Sequence, residues 1–560
     1  MAGQDEHRDG SSHRRQVVLF SLPFQGHLNP MLKLAAVLHA RGLGVTVLHT
    51  DFNAPDPARH PQLTFVPIHE TLRDEATSPD SDILTKLLAL NAACEAPFRQ
   101  ALASLLRRGQ NVSCAVVDGQ CYAALGAAGR FGVPVLALRT DTPPRCATCW
   151  RVDELVPHCP AEEKLDELVP DLEPLRVRDL LRVDDCDTDE MCSFITCVAD
   201  AVGASVSGIV INTLEAMEAS ELAKIRRELS LPAFAIGPLH LLSSQDSAEQ
   251  SLYTPDVSCR DWLDLHPARS VLYVSLGSLA CVDRGVFEEM AWGMAGSGVP
   301  FLWVVRPGLV SGEEVPSLPD GFSEEIRNRG KIVTWAPQRE VLAHAAIAAF
   351  WTHCGWNSIL ESFCEGVPML VQPCFADQIV NARYVTHEWG VGLEVGEVLE
   401  RESVAKVVNQ VMVGEDGPLM RERAHRLQMQ ASAATSSAMD SLVQYVLSRA
   451  LRRLPRSPTA ARRKSAPPAT TRAPRSATRD RRLLRPREGS AAREWPSQAG
   501  SKAMAHGRRT YPSTLSRSCF ARALLAPRRS FCSVPLSFHR SGNQRHVNTA
   551  NAKERDCLCY

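Results

Sequence analysis

The chain has 560 residues, too many for one hydrophobic core, and its 44% hydrophobic and 22% charged residues are those of soluble globular domains. The formal net charge of −1 conceals an acidic body with a basic end: from Leu451 onward 25 Lys and Arg stand against 5 Asp and Glu, and before it 37 stand against 58. A charged, hydrophilic N-terminus is no secretory leader, no apolar run reaches the ~18 residues that span a bilayer, and the 18 scattered cysteines read as reduced thiols; a cytoplasmic protein without a membrane span is expected.

In chain order, "QVVLFSLP" (16–23) reads as a buried strand, followed by a helix from about Asn29 to Arg41. "VTVLHT" (45–50) and "LTFVPI" (63–68) are further strands, and a long helix covers about 82–107. "CAVVDG" (114–119), a helix near 121–131 and the strand "VPVLALR" (133–139) follow. After a poorly patterned stretch, "GIVINT" (208–213) and "AFAIGP" (233–238) close the first half. Residues 241–258, "LLSSQDSAEQSLYTPDVS", are polar and strand-free and read as a linker. The alternation restarts with "SVLYVSLGS" (270–278), a helix over 284–297, "PFLWVVRP" (300–307), "KIVTWAP" (331–337), "IAAFWTH" (347–353) and "PMLVQP" (368–373). Helices near 402–413, 417–432 and 437–450 complete the body. Strand–helix alternation of this kind predicts parallel sheets covered on both faces, here two doubly wound α/β domains over 16–240 and 259–450, with a flexible stretch over 1–15. Residues 451–560 are rich in Arg, Pro, Ala and Ser and are expected to stay disordered. A basic tail can bind nucleic acid through phosphates, but its most basic half has little aromatic interleaving, so no nucleic-acid partner is expected.

Chemistry concentrates in "FWTHCGWNSILESFCEGVPMLVQPCFADQ" (350–378), which packs hydrogen-bonding side chains between two apolar runs. Ligands of open parallel sheets sit at the carboxyl ends of the strands, where these groups fall. Asn357 is a candidate N-cap, and the start of its helix offers free N–H groups and a positive dipole end to an anion. His353, Asn357 and Ser358 add side-chain donors, and Ser278 of "SLGS" can donate to a phosphate. Glu361, at i+4 from Asn357, projects on the same face and suits the hydroxyls of a ribose. Trp335 of "WAPQ" can stack on a base, and "FADQ" (375–378) places an acid and an amide where sugar hydroxyls would lie. Singly these are an N-cap, a core Trp and surface polar groups; together, at successive strand ends, they outline a nucleotide-sugar site.

The 44 residues from Trp335 to Gln378, with "WAPQ", "VLAH", "THCGWNS", "ES", "GVPML" and "DQ", resemble the signature box of plant secondary-product UDP-glycosyltransferases. The resemblance extends over about 16–450 through "LPFQGHLNPMLKLA", "INT", "YVSLGS" and "FLWVVRP", and is nearest the branch that glucosylates benzoxazinoids and cytokinins. It implies the GT-B fold, two facing Rossmann-like domains: an N-terminal one for the acceptor and a C-terminal one for the UDP-sugar, with UDP-glucose a co-substrate and no cofactor or metal. By that resemblance Trp335 and Ala336 hold uracil, Gln338 and Glu361 the ribose hydroxyls, and Ser278, His353, Asn357 and Ser358 the diphosphate. Thr140, Trp356, Asp377 and Gln378 would face the sugar, the Gln indicating glucose. His27, in the turn after the first strand, and Asp118, at the end of "CAVVD", match the family's general base and its orienting carboxylate. The expected reaction is inverting glucosyl transfer to a hydroxyl of a small acceptor by a monomeric enzyme. Between Arg139 and Glu162, "RTDTPPRCATCWRVDELVPHCPAE" departs from the family, which has a longer helical stretch shaping the acceptor pocket here. The alternative it raises is a UDP-sugar-binding protein with impaired catalysis.

Overall fold

The computed structural model describes residues 15–73, 77, 81–141, 165–170, 172–180, 188–242, 253–396, 398–433 and 435–451. Residues 1–14 of the N-terminal stretch expected to be flexible, most of the atypical 140–162 segment, the middle of the linker and the basic tail from 452 lie outside the described residues.

The first sheet has seven parallel strands: β1 (Gln16–Phe20), β2 (Gly44–His49), β3 (Thr64–Pro67), β4 (Val112–Asp118), β5 (Val135–Arg139), β6 (Gly208–Ile211) and β7 (Ala233–Ala235), in the order β3-β2-β1-β4-β5-β6-β7. The second has six: β8 (Val271–Ser275), β9 (Phe301–Val304), β10 (Gly330–Val333), β11 (Ile347–Thr352), β12 (Met369–Val371) and β13 (Gly392–Glu394), in the order β10-β9-β8-β11-β12-β13. All residues of β4, β5, β8, β9 and β11 are buried, as their near-continuous apolar runs require when helices cover both faces. Strand order reverses between β1 and β4 in one sheet and between β8 and β11 in the other. These switch points leave crevices at the strand ends, with Phe20 paired to Val117 in one and Thr352 to Ser275 in the other.

The helices named below are α1 (Gln25–Ala40), α2 (Ile83–Arg107), α3 (Tyr122–Gly129), α4 (Thr188–Ser205), α5 (Glu215–Leu229), α6 (Arg284–Ser297), α7 (Gln338–Leu342), α8 (Trp356–Glu365), α9 (Gln378–Arg383), α10 (Arg401–Met412), α11 (Asp416–Ala433) and α12 (Thr435–Leu451). The sequence reading does not anticipate α4, α5, α7, α9 or β13. α1 begins four residues earlier than expected: Pro30 suggests a helix start, yet the amides of His27 and Leu28 already bond the Phe24 carbonyl at 2.9 and 2.8 Å. Pro30 lacks the N–H that would have bonded the Gly26 carbonyl, so that acceptor is open to a partner from elsewhere. A second difference concerns α12, assigned by sequence to the second domain. Met439, Leu442, Val443 and Val446 pack into the core of the first sheet, with Val17, Leu19 and Val45. The Tyr445 hydroxyl donates to the Ser207 carbonyl at 2.5 Å, so the chain returns to its first domain.

Candidate active site

The first switch point carries a dyad. β4 ends on Asp118, 1% exposed, and the first turn of α1 presents His27, whose Nδ1 lies 2.8 Å from Asp118 Oδ2. The Gln120 amide donates to Asp118 Oδ1 at 3.0 Å, fixing the carboxylate's orientation. Thr140, after β5, places Oγ1 at 3.2 Å from the same Nδ1. Burial works against the imidazolium, but the adjacent Asp118 charge and hydrogen bond, helped by Asp141 and Asp377, hold the His27 pKa above 6.5. Burial likewise works against the Asp118 carboxylate, and His27, Gln120 and the nearby Arg139 bring its pKa below the ordinary value. With Nδ1 turned to Asp118, Nε2 is the nitrogen that remains for an external proton.

Arg139 and Asp141 form a buried ion pair beside this dyad, Nε donating to Oδ1 at 2.9 Å and NH2 to Oδ2. A side chain at Gly119 would bring a Cβ within 2.5 Å of Arg139 Cδ, so the glycine after Asp118 is what lets the guanidinium stem lie against the strand end.

The second switch point carries a different histidine. His353 follows β11 and its ring is held between two glycines: a Cβ on Gly277 or Gly355 would fall 2.5 or 2.4 Å from His353 Nε2. Its Nδ1 is buried without a hydrogen-bond partner. Burial, together with the charge of Arg306, pushes its pKa down to about 4, so the ring is neutral at physiological pH. Arg306, at the end of β9 and 4% exposed, donates to the carbonyls of Gly277 (2.7 Å), Pro307 (2.9 Å) and Ala280, which holds the loop that carries Ser278.

α8 starts in this crevice. Its N-cap is Gly355, in extended conformation and without a side-chain cap; Asn357, the expected N-cap, is the second helical residue. A capping side chain would occupy the first-turn N–H groups, whereas a glycine leaves them to a ligand. Freed from capping, Asn357 Nδ2 donates to the Gly26 carbonyl at 2.9 Å, the acceptor vacated by Pro30. Asn212, after β6, completes the seam between the domains: Nδ2 approaches Asn357 Oδ1 at 3.4 Å, and its carbonyl accepts the Trp356 indole N–H at 2.8 Å. The starts of α1 and α8 thus face each other across one cleft. Nothing local marks Asn212 beyond an Asn at a strand end, within the "INT" of the family pattern.

At the other end of the crevice Gln338 Nε2 donates to Ser358 Oγ and Glu361 Oε2, both at 2.9 Å, and its Oε1 accepts from the Tyr273 hydroxyl at 3.3 Å. Trp335 is half-buried beside Ala336, with Tyr253 against its ring at a centroid distance of 4.7 Å. Gln378 Oε1 accepts from the amides of Cys374 (2.8 Å) and Phe375 (3.1 Å), which shapes the loop before α9 and leaves the amide NH2 for a ligand. Asn381 ties the same loop to the α8 turn, donating to the Cys354 carbonyl at 2.9 Å and to Asp377 Oδ2 at 3.0 Å.

One cavity of about 250 Å³ joins the two crevices. Its wall includes His27, Thr140, Ser278, Trp335, Ala336, Gln338, His353, Trp356, Asn357, Ser358, Glu361, Asp377 and Gln378; Asp118 lies behind His27. Because the Trp356 indole N–H is engaged by Asn212, what Trp356 can offer a ligand is its helix-start backbone N–H. Sequence reasoning missed Lys33, Asn212, Tyr273 and Arg306. Among the described residues no group of three or more His, Cys, Asp and Glu could hold a metal ion, and no helix is long and apolar enough to cross a membrane.

Residues 189–429 match the family model described as UDP-glucoronosyl and UDP-glucosyl transferase. The chain is 43% identical over 442 residues to "DIMBOA UDP-glucosyltransferase BX8" of Zea mays, covering 76% of this chain and 96% of the relative. To "UDP-glycosyltransferase 76B1" of Arabidopsis thaliana it is 38% identical over 442 residues, covering 77% and 98%. Among solved structures, Os79 from O. sativa in complex with UDP superposes with a TM-score of 0.66 at 28% identity, covering 78% of this chain and all of that one. Phytolacca americana UGT2, complexed with UDP-2fluoro-glucose and pterostilbene, gives 0.65 at 27% identity, covering 78% and 100%. A pair of switched parallel sheets facing one cleft is the GT-B arrangement of these neighbours, and with relatives of this identity over nearly their whole length the chain belongs to the plant secondary-product branch of the UDP-glucuronosyl and UDP-glucosyl transferase family.

Proposed function

We propose that this glycosyltransferase moves glucose from UDP-glucose to a hydroxyl of a small plant metabolite, with inversion at the anomeric carbon, using His27 as general base and Asp118 as its orienting partner. The observation that carries the reading is the His27–Asp118 contact of 2.8 Å on the wall of the cavity that also holds the donor box. His27 Nε2 takes the acceptor's O–H proton. The oxygen bonds to C1 from the face opposite the leaving group, and the C1–O bond to the β-phosphate breaks with its electron pair going to UDP. Asp118 stabilises the imidazolium that forms and keeps Nδ1 protonated.

The donor is held as the residue types suggest: Trp335 and Ala336 at uracil, Gln338 and Glu361 at the ribose diol, and Ser278, Ser358, Asn357 and the first turn of α8 at the diphosphate. His353 takes part there as a neutral donor rather than a cation, since burial and Arg306 keep it deprotonated. Thr140, Asp377, Gln378 and the Trp356 backbone N–H surround the sugar. Fixed donors of this kind do the charge stabilisation that the leaving group needs. The maize relative named for DIMBOA supports a benzoxazinoid-like acceptor, with a cytokinin-like one as the second class to test. The enzyme acts as a cytoplasmic monomer.

The test is incubation with UDP-[¹⁴C]glucose and a panel of phenols, hydroxamic acids and cytokinins, with the product's anomeric configuration read by NMR. Transfer to give a β-glucoside, abolished in His27→Ala, is expected. Retained UDP-glucose binding without transfer to any acceptor would sink the catalytic reading, as would activity that survives His27→Ala.

A further inference from the structure

Lys33 is a cation in the wrong place for a structural residue. It lies on α1, two turns beyond the start that presents His27, and only 9% of it is exposed. Among the described residues no hydrogen bond or ion pair engages its ammonium, yet it lines the donor cavity with Asn29, one helical turn before it. Across the cleft, on α7, Arg339 lines the same wall and its Nε is buried without a partner. The third basic group of this corner, His240, is buried and driven well below its ordinary pKa by burial and by these two cations, so it adds no charge. Glu361 is the acid that faces Lys33, and its carboxylate already accepts from Gln338. Glu365, one turn further along α8, lies in the field of Arg339, but among the described residues neither Glu361 nor Glu365 forms an ion pair with either cation. Burying a charge without its counter-charge is costly, and a protein keeps such a group where a ligand supplies the missing anion.

The cavity's ligand carries that anion. Lys33 faces Glu361 and Arg339 follows Gln338 in the chain; Glu361 and Gln338 are the two side chains read above as holding the ribose diol, and all four line the cavity. We propose that Lys33 and Arg339 form a cationic clamp, half from each domain, that engages the diphosphate of the bound nucleotide from its ribose side. The inference rests on the UDP-sugar reading above and adds to it a contribution from the N-terminal domain to donor binding. Because the clamp needs both domains, donor binding draws α1 toward α7, the same direction in which the Gly26–Asn357 hydrogen bond already ties α1 to α8.

Calorimetric titration of UDP, and of uridine by competition against UDP, tests it on the full chain as wild type, Lys33→Met, Lys33→Arg and Arg339→Met. Methionine keeps the buried stem and removes only the charge. A charge-assisted contact of this kind predicts about tenfold weaker UDP binding for Lys33→Met, a change for uridine within about twofold, and recovery in Lys33→Arg. UDP affinity should fall less steeply with added salt in Lys33→Met than in wild type. In turnover, Lys33→Met raises KM for UDP-glucose and leaves KM for the acceptor and the acid limb of the pH profile in place. Equal losses for UDP and uridine would overturn the clamp, since packing or the ribose would then account for Lys33; so would UDP affinity unchanged in both Lys33→Met and Arg339→Met. Wild type that binds no UDP would instead bring down the donor reading on which the clamp stands. Retained uridine binding in the variants shows that the site is folded.

Discussion

Two histidines stand at the switch points of the two sheets, His27 in the helix start after β1 and His353 directly after β11, the counterpart of β4, and their surroundings drive them in opposite directions. His27 meets Asp118 at 2.8 Å and is held above the ordinary histidine pKa. His353 meets the backbone of two glycines and the field of Arg306 and is pushed down to about 4. Both are partly buried, and desolvation opposes the charged form in each; the sign of the outcome is set by the neighbouring charge, a carboxylate in one case and a guanidinium in the other. The lesson is that one residue type, partly buried on the wall of one cavity, is pushed toward its charged or its neutral form according to its neighbour.

The largest expected effect comes from removing the proposed base. His27→Ala should lower kcat by ~10²–10⁴ while UDP binding persists, which single-turnover kinetics and calorimetry would separate. For the intact enzyme kcat/KM should rise with pH as His27 loses its proton, with the acid limb above pH 6.5 because Asp118 favours the imidazolium. Asp118→Asn removes that charge, so activity should fall by ~10² or more and the limb should move to lower pH. A limb unmoved by Asp118→Asn would mean that another group titrates there.

Crowding the second histidine should act on stability and donor binding instead. Gly277→Ala forces a Cβ to within 2.5 Å of the His353 ring at a φ of +73°, and should cost about 1–3 kcal/mol in denaturant unfolding. His353 also predicts an acid sensitivity of defined sign. The folded ring stays neutral down to about pH 4 while the unfolded one takes a proton near 6.5, so the unfolded state binds more protons in that window. Stability should therefore drop as pH falls through it, and His353→Gln should remove this part of the slope in thermal melts across pH 4–7. Smaller again is Asn357→Ala, which leaves the Gly26 carbonyl without its cross-domain donor; about 1 kcal/mol of stability should go, with the acid limb unchanged. The finest test is Asp141→Asn. It keeps one acceptor oxygen for Arg139, turns the other into an NH2, and deletes a negative charge facing His27, whose charged neighbours are Asp118, Asp141 and Asp377, with Arg139 beside Asp118. The acid limb should shift to lower pH by less than in Asp118→Asn.

Legibility in the sequence followed the range of the physical cause. Strands buried on both faces announce themselves as apolar runs, so β4, β5, β8 and β11 were readable within a few residues. β13 was not, since only its Gly392 is buried and three residues carry no pattern. α5 was missed for a related reason: its face is rich in charge, and at Glu218 the backbone leaves helical geometry, which breaks the period. The donor wall was legible because Trp335 to Gln378 are contiguous and their polar side chains follow successive strands. The seam was not, because Asn212, Gly26 and Asn357 are far apart in the chain and each is an ordinary residue alone.

By itself, the sequence determined two parallel α/β domains and a run of polar side chains at the strand ends of the second, because burial pattern and turn chemistry are local properties. Tertiary structure decided the rest. It freed the Gly26 carbonyl through Pro30 and handed it to Asn357, sent α12 back to the first sheet, and placed Arg306 beside His353 and Asp118 beside His27. Charge states and interdomain contacts depend on which groups meet across large separations in sequence, and that is settled only when the sheets fold and face each other.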